Sequence, residues 1–221
     1  KVNKGNYLGM TLTFIGAVDG HVTGSRNLLE IRRRDVVKHI LVDYGTHQGE
    51  DEELNLTQKL PIPMEKLDAT IIITHSHADH IGHVPELVKE GFEGKILGSE
   101  ETLKQGAEIL MDSAILNAQQ MRFNKSEIRK MEKLAEREVS RAKKKEVSRK
   151  ERSALISFQE EVEEEKMVPY LPEDAKETIQ RFVPIPVNED YTICEGIYVK
   201  LIPISHINGA TIVEVYATHG A

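Results

Sequence analysis

The chain has 221 residues, 39% of them apolar, and a formal net charge of −7. That length allows one large domain, or one domain with an insertion. The negative balance excludes a uniformly basic nucleic-acid binder, while leaving room for a local basic groove.

The single cysteine, Cys194, excludes an internal disulfide framework and fits a reducing compartment. No run is long or apolar enough to span a membrane, and the N-terminus has no signal-peptide pattern. A soluble, cytoplasmic protein is expected. The sequence begins at Lys1 rather than Met, so leading residues are expected to precede it.

In chain order, the β-branched, alternating stretch Met10–Val18 predicts a strand. Ser25–Arg33 and Lys38–Gly45 predict two more, joined by the polar turn RRDVV, and GHVTGS makes a tight loop before them. ATIIIT (Ala69–Thr74) is a short continuous apolar run of the kind that buried strands show. GHVPELVKEGF predicts a helix with Pro85 in its first turn and Gly91 at its end. KILGS predicts a strand. A long helix starts at Ser99, with Thr102 three residues on.

From Asn124 to Lys166 the composition shifts to Lys, Arg and Glu. A narrow apolar stripe runs through Ile128, Met131, Ala135, Val139 and Ala142. Charges segregate: Arg137–Arg152 holds eight basic and three acidic residues, and Glu160–Glu165 holds five acidic ones. The segment reads as a solvated helical hairpin or partner-binding arm, with an arm touching RNA phosphates as the functional alternative. After it come a proline-led helix near Pro172 and two strands, GIYVKLIPIS and ATIVEVYA, flanking HING. The alternation points to an α/β fold with helices covering sheets. Three segments are expected: a core first part (1–123), a charged insertion (124–167) and a core continuation (168–221).

The chemistry concentrates in ITHSHADHIGH, where four imidazoles and one carboxylate fall within nine residues, His75 to His83. In an extended segment His75 and His77 point to the same side. Asp79 and His80 follow where the chain turns into the helix expected near Ile81, aimed at a second point beside the first. Imidazole nitrogen and carboxylate oxygen are ligands that zinc and similar divalent metals accept. H-S-H-A-D-H therefore suits two adjacent metals, an arrangement adapted to hydrolysis.

THSHADHIG resembles the signature of the metallo-β-lactamase superfamily. The stretches LTFIGAVDGHVTGSRNLLE, ILVDYGTHQG, THSHADHIGHVPELVKEGFEGKILGSEET and MDSA resemble the N-terminal half of its β-CASP group of RNA-processing nucleases. PYLPEDAKETIQRFVPIPV and ISHINGATIVEV resemble the segment around that group's third motif.

The resemblance implies a partial αββα sandwich carrying a long charged helical insertion. It implies zinc as cofactor, RNA as substrate, and zinc-activated water attacking a phosphodiester in line. It assigns Asp43 as a carboxylate near the metal histidines. His75, His77 and His206 become the set for one metal, and Asp79 and His80 the pair for another. Asp43 and Asp79 are the catalytic carboxylates on this reading.

His206 lies in I-S-H-I-N-G-A-T, where the usual pattern reads A-G-H-x-x-G-S-A. His21, His47 and His83 read as rim residues, His39 and His219 as structural or surface. The group's bridging aspartate and second lobe are not found before Ala221, so a longer protein or a degenerate member is expected, with one better-formed metal site. Two other functions remain open: a hydrolase of a small ester or thioester on the same scaffold, or a non-catalytic module docking a protein through 124–167.

Overall fold

A computed structural model describes residues 8–33, 36–64, 67, 70–142 and 168–218, and no helix among them is long and apolar enough to cross a membrane. The chain divides into two compact units, Lys1–Ser113 with Pro172–Ala221, and Ala114–Leu171.

The first unit is built on two sheets. The larger has six strands in chain order: β1 (Leu8–Phe14), β2 (Arg26–Arg33), β3 (Val36–Tyr44), β4 (Thr70–Ile72), β5 (Lys95–Gly98) and β6 (Phe182–Pro184). β1, β2 and β3 pair antiparallel, while β3 to β6 pair parallel. The smaller sheet is the antiparallel meander β7 (Asp190–Cys194), β8 (Ile197–Pro203) and β9 (Thr211–Ala217).

Strand alternation places Leu29, Ile31, Ile40, Ile72 and Leu97 on one face of the large sheet. There they form one core with Ile197, Val199 and Leu201 of β8. The opposite face lies under helices. These are α2 (Ala78–Ile81), which meets β3, and α3 (Val84–Lys89), which packs on α5 (Pro172–Gln180). α4 (Glu100–Ala142) starts in this unit and runs into the second, and a short α1 (Leu54–Thr57) lies in the loop after β3. β4 is buried at all three residues because it is covered on both faces, which is why its sequence is apolar without alternation. Helices, mixed sheet and antiparallel sheet are three layers of the expected αββα sandwich.

Several element bounds differ from the sequence reading. β1 ends at Phe14, not Val18. Ile15 and Gly16 both donate to the carbonyl of Arg26, and Ala17 and Asp19 then take positive φ, which turns the chain out of the sheet. β3 starts at Val36, so the turn after β2 is shorter than expected. The helix expected near Ile81 is two pieces, and Asp79 and His80 sit within the first. β6 and β7 were not expected, because their residues lie between prolines and a charged turn. The apolar stripe from Ile128 to Ala142, the segment 143–167 and His219 fall outside the described side chains.

Arg26 is fully buried at the start of β2. Its Nε donates to the carbonyl of Gly45 (3.0 Å), its Nη2 to Asn55 (3.1 Å) and its Nη1 to the carbonyl of Gln58. The guanidinium lies 4.4 Å above the Tyr44 ring. Burial pushes the Tyr44 phenol up to about 12, so the ring stays neutral there. Asn55 in turn holds the backbone of His47 from both sides. One arginine thus fixes the loop that follows β3, and the fork geometry cannot be supplied by lysine. Arg26→Leu is expected to cost about 3 kcal/mol of stability, from stranded charge-assisted hydrogen bonds. Arg26→Lys should recover less than half of that, measured by chemical denaturation.

Candidate metal centre

The histidine motif begins one residue past β4, at the C-terminal end of a parallel strand. Thr74 lies at a bend, His77 caps α2 with extended backbone (ψ 146°), and Asp79 and His80 lie on the following turn. Two distant segments hold this turn. The amide of Ser25 donates to the carbonyl of Asp79 (2.8 Å), and that of Thr46 to the carbonyl of Ala78 (2.9 Å). A Cβ on Gly45 would collide with the Asp79 carbonyl, so that close approach requires glycine.

Three of the expected ligands come together. His75 Nε2 lies 3.2 Å from His77 Nδ1, and His206 Nε2 lies 3.3 Å from the same nitrogen. One nitrogen from each ring lies within 4.8 Å of the others. A tetrahedron with metal–nitrogen bonds of 2.0–2.1 Å has an edge of about 3.3 Å. The two shorter separations therefore match a shared metal, and the donor set fits one. Among the described residues this is the one group of three or more ligand side chains within such reach. His75 is buried, whereas His77 and His206 are exposed, so the cluster opens to solvent on one side.

His206 reaches the cluster from the loop between β8 and β9. The Thr211 amide donates to the carbonyl of Thr74 (2.9 Å), pinning that loop beside His75. The Gly209 carbonyl accepts hydroxyl hydrogen bonds from Ser99 and Thr102, each 2.7 Å. Gly209 has φ of 84° and its α-carbon is pressed against the start of α4, where a side chain would meet Glu101 and Thr102. Ser99 also accepts from the Thr102 amide as the cap of α4, so the same two residues start the helix and grip the His206 loop.

Asp43 lies beneath the motif, 2% exposed, in a left-handed conformation (φ 60°) that aims its carboxylate across to β4. Oδ1 accepts the Thr74 amide (2.8 Å). Oδ2 accepts the Thr74 hydroxyl (2.8 Å) and His80 Nδ1 (2.7 Å). With its hydroxyl hydrogen donated to Asp43, Thr74 Oγ1 accepts from His75 Nδ1 (3.0 Å). Both rings then carry their proton on Nδ1 and present Nε2 as a bare donor atom. His80 Nε2 faces Asp79 Oδ2 at 3.6 Å, giving a second pair of ligand atoms beside the three-histidine cluster.

The remaining histidines lie elsewhere. His47 is fully buried and bonded to Gln58. His83 is buried against Glu86 and tilted on Tyr44. His39 pairs with Glu30, and His21 pairs with Asp51. His47 and His83 are thus interior residues rather than rim groups, because α1 and α3 cover them.

Sequence reasoning missed Thr74, Ser25, Gly45, Ser99, Thr102 and Gly209 as site supports. Thr74 had a signal in its place before His75. The pairing of Ser99 with Gly209 spans 110 residues and leaves no local trace.

Burial first, and then the neighbouring His80, His77 and His206 rings, push His75 down to about 4 from an ordinary value of about 6.5. Burial also opposes charge on His80, but the hydrogen bond and charge of Asp43, with Asp79, outweigh it and raise His80. A histidine lowered on folding contributes stability that is full above the unfolded pKa and declines as pH falls toward 4; one raised on folding does the reverse. In chelator-treated protein followed by NMR, His75 should titrate near pH 4 and His80 above the usual histidine value. Asp43→Asn should bring His80 down.

A profile of the Metallo-beta-lactamase superfamily matches residues 34–174. The chain is 35% identical over 94 residues to Ribonuclease TTHA0252 of Thermus thermophilus, covering 42% of this chain and 20% of that protein. It is 42% identical over 59 residues to Transcription termination factor FttA of Methanosarcina mazei, covering 26% of this chain and 9% of the relative. It is 36% identical over 72 residues to Hydroxyacylglutathione hydrolase of Hamiltonella defensa, covering 33% of this chain and 26% of the relative. The matches thus span at most about a quarter of each relative's length. With the profile match extending over more than half of its residues, this chain belongs to the metallo-β-lactamase superfamily.

Proposed function

We propose that this chain carries the metal centre of a zinc-dependent hydrolase of the β-CASP type, which cleaves RNA phosphodiesters in the cytoplasm. The observation that carries the reading is the convergence of His75, His77 and His206 beside the His80–Asp79 pair, at spacings suited to metal ligation. The likeness to a protein named as a ribonuclease supports RNA as substrate.

Three imidazoles are a ligand set of catalytic zinc sites, which keep a further position for water or substrate. Zinc held there supplies Lewis acidity, which lowers the pKa of a water and offsets charge on phosphate oxygens. The chain's own residues do the rest. Asp43 and Thr74 fix the ring orientation of His75 and His80 and hold each neutral ring in the tautomer that leaves Nε2 open. Asp43 is enclosed and bonded through both oxygens, so it acts by positioning. Asp79 is partly exposed beside His80 and supplies the acidic oxygen that faces the reacting centre. The exposed rims of His77 and His206 admit a bulky substrate from solvent. One well-formed site is expected, with a weaker one at the two ligands Asp79 and His80.

A second reading has its own support. The likeness to a protein named as a hydroxyacylglutathione hydrolase, over a stretch of similar length, favours a small thioester substrate on the same scaffold. A docking role for the insertion 124–167 toward a protein partner is compatible with either.

Purified protein is expected to retain at least one zinc per chain by metal mass spectrometry. His75→Ala and His206→Ala should each lose most of it, and equal zinc in all three proteins would contradict the assignment. With labelled single-stranded RNA, cleavage should be chelator-sensitive and fall at least about 100-fold in Asp79→Ala, the scale on which proton-transfer and charge-stabilising groups act. Hydrolysis of an acylglutathione thioester without RNA cleavage would select the second reading.

A further inference from the structure

The second unit carries a feature that the metal centre does not use. Along α4, Arg122, Lys125, Ser126, Arg129, Lys130 and Lys133 line a solvent-open recess of about 460 Å³. Five of these six are cations, and among the described residues lining it none is acidic. Arg122, Lys125, Arg129 and Lys133 follow one another at intervals of three and four residues, which stacks them along one helix face. Each four-residue step rises about 6 Å along the axis. The result is a ladder of positive groups rather than one focus.

Such a ladder sets like charges on successive turns of the helix. Like charges four residues apart repel, as Lys125 and Arg129 do, and Arg129 and Lys133 after them. It is also opposite in sign to the chain as a whole, whose formal net charge is −7. A run of cations matched to a repeating anion is the electrostatic footprint of a nucleic-acid backbone. Phe123, next to Arg122, is 61% exposed. An exposed ring beside a basic track offers a stacking surface to an unpaired base, which favours a single strand over a duplex.

We infer that the face of α4 bearing Arg122, Lys125, Arg129 and Lys133 is a docking track for the phosphate backbone of single-stranded RNA, separate from the metal centre. The inference takes RNA as ligand from the functional reading above, but it concerns binding and does not require cleavage.

The test is fluorescence anisotropy with a labelled single-stranded oligouridylate across a salt series, in chelator so that no cleavage intervenes. The proteins are wild type and a quadruple variant, Arg122→Gln with Lys125→Gln, Arg129→Gln and Lys133→Gln. A charge-keeping version with Lys at 122 and 129 and Arg at 125 and 133 serves as control. Glutamine is a good helix former, and circular dichroism checks that helicity is retained.

The quadruple glutamine variant is expected to bind at least 10-fold more weakly. Its slope of log affinity against log salt should fall by about 2–3, at roughly 0.7 per lost phosphate contact. The charge-keeping variant should bind within threefold of wild type. Unchanged affinity and slope in the glutamine variant would overturn the proposal. So would a wild-type chain that ignores RNA while the same face captures an acidic protein. His77→Ala separates the two readings: loss of cleavage with intact, stripe-dependent RNA binding supports the track whatever the metal centre does.

Discussion

The buried carboxylate of Asp43 is the constraint on which the site depends. It accepts three hydrogen bonds, from the Thr74 amide, the Thr74 hydroxyl and His80 Nδ1. A carboxylate that is 2% exposed is stable there only because it is bonded this fully. The same bonds dictate which nitrogen of His80 carries the proton and, through Thr74, which nitrogen of His75 does. Ring orientation and donor availability are therefore set by the protein before any metal arrives. The left-handed backbone of Asp43 is a local cost, borne where the carboxylate must turn back across the sheet.

The fold serves this constraint by bringing together segments far apart in the chain. Parallel pairing of β3 and β4 sets Leu41 against Ile71 and Val42 against Ile72, which puts Asp43 alongside Thr74 at the strand ends. The antiparallel pair β8 and β9 carries His206 on its connecting loop, and the bond from the Thr211 amide to the Thr74 carbonyl joins that loop to the motif. Two glycines allow contacts that a side chain would block: Gly45 under Asp79, and Gly209 against the start of α4. Arg26 supports the first of these by holding the Gly45 carbonyl from within the core. Loss of any of these supports would move a ligand without removing it.

Much of this was legible in the sequence, for reasons tied to particular residues. The H-x-H-x-D-H spacing after an apolar run pointed to four candidate ligands, because strand geometry and a following turn leave few ways to arrange them. Asp43 and His206 became legible only through family resemblance, since their closeness to the motif depends on sheet pairing and not on spacing. Arg26 read as one more polar residue at a strand start; nothing local distinguishes a buried guanidinium from an exposed one. His47 and His83 read as rim groups because they lie near the motif in sequence, yet short helices cover both. β6 and β7 were missed because proline and charge mask short strands that tertiary pairing stabilises.

The most direct test of the three-histidine centre is X-ray absorption spectroscopy of protein loaded with one equivalent of zinc, beside His206→Ala. Three imidazole nitrogens at 2.0–2.1 Å are predicted for wild type. Two are predicted for the variant, with oxygen filling the vacated position. A first coordination sphere that is the same in both proteins would contradict the assignment of His206, and with it the joining of the β8–β9 loop to the motif as the basis of the site.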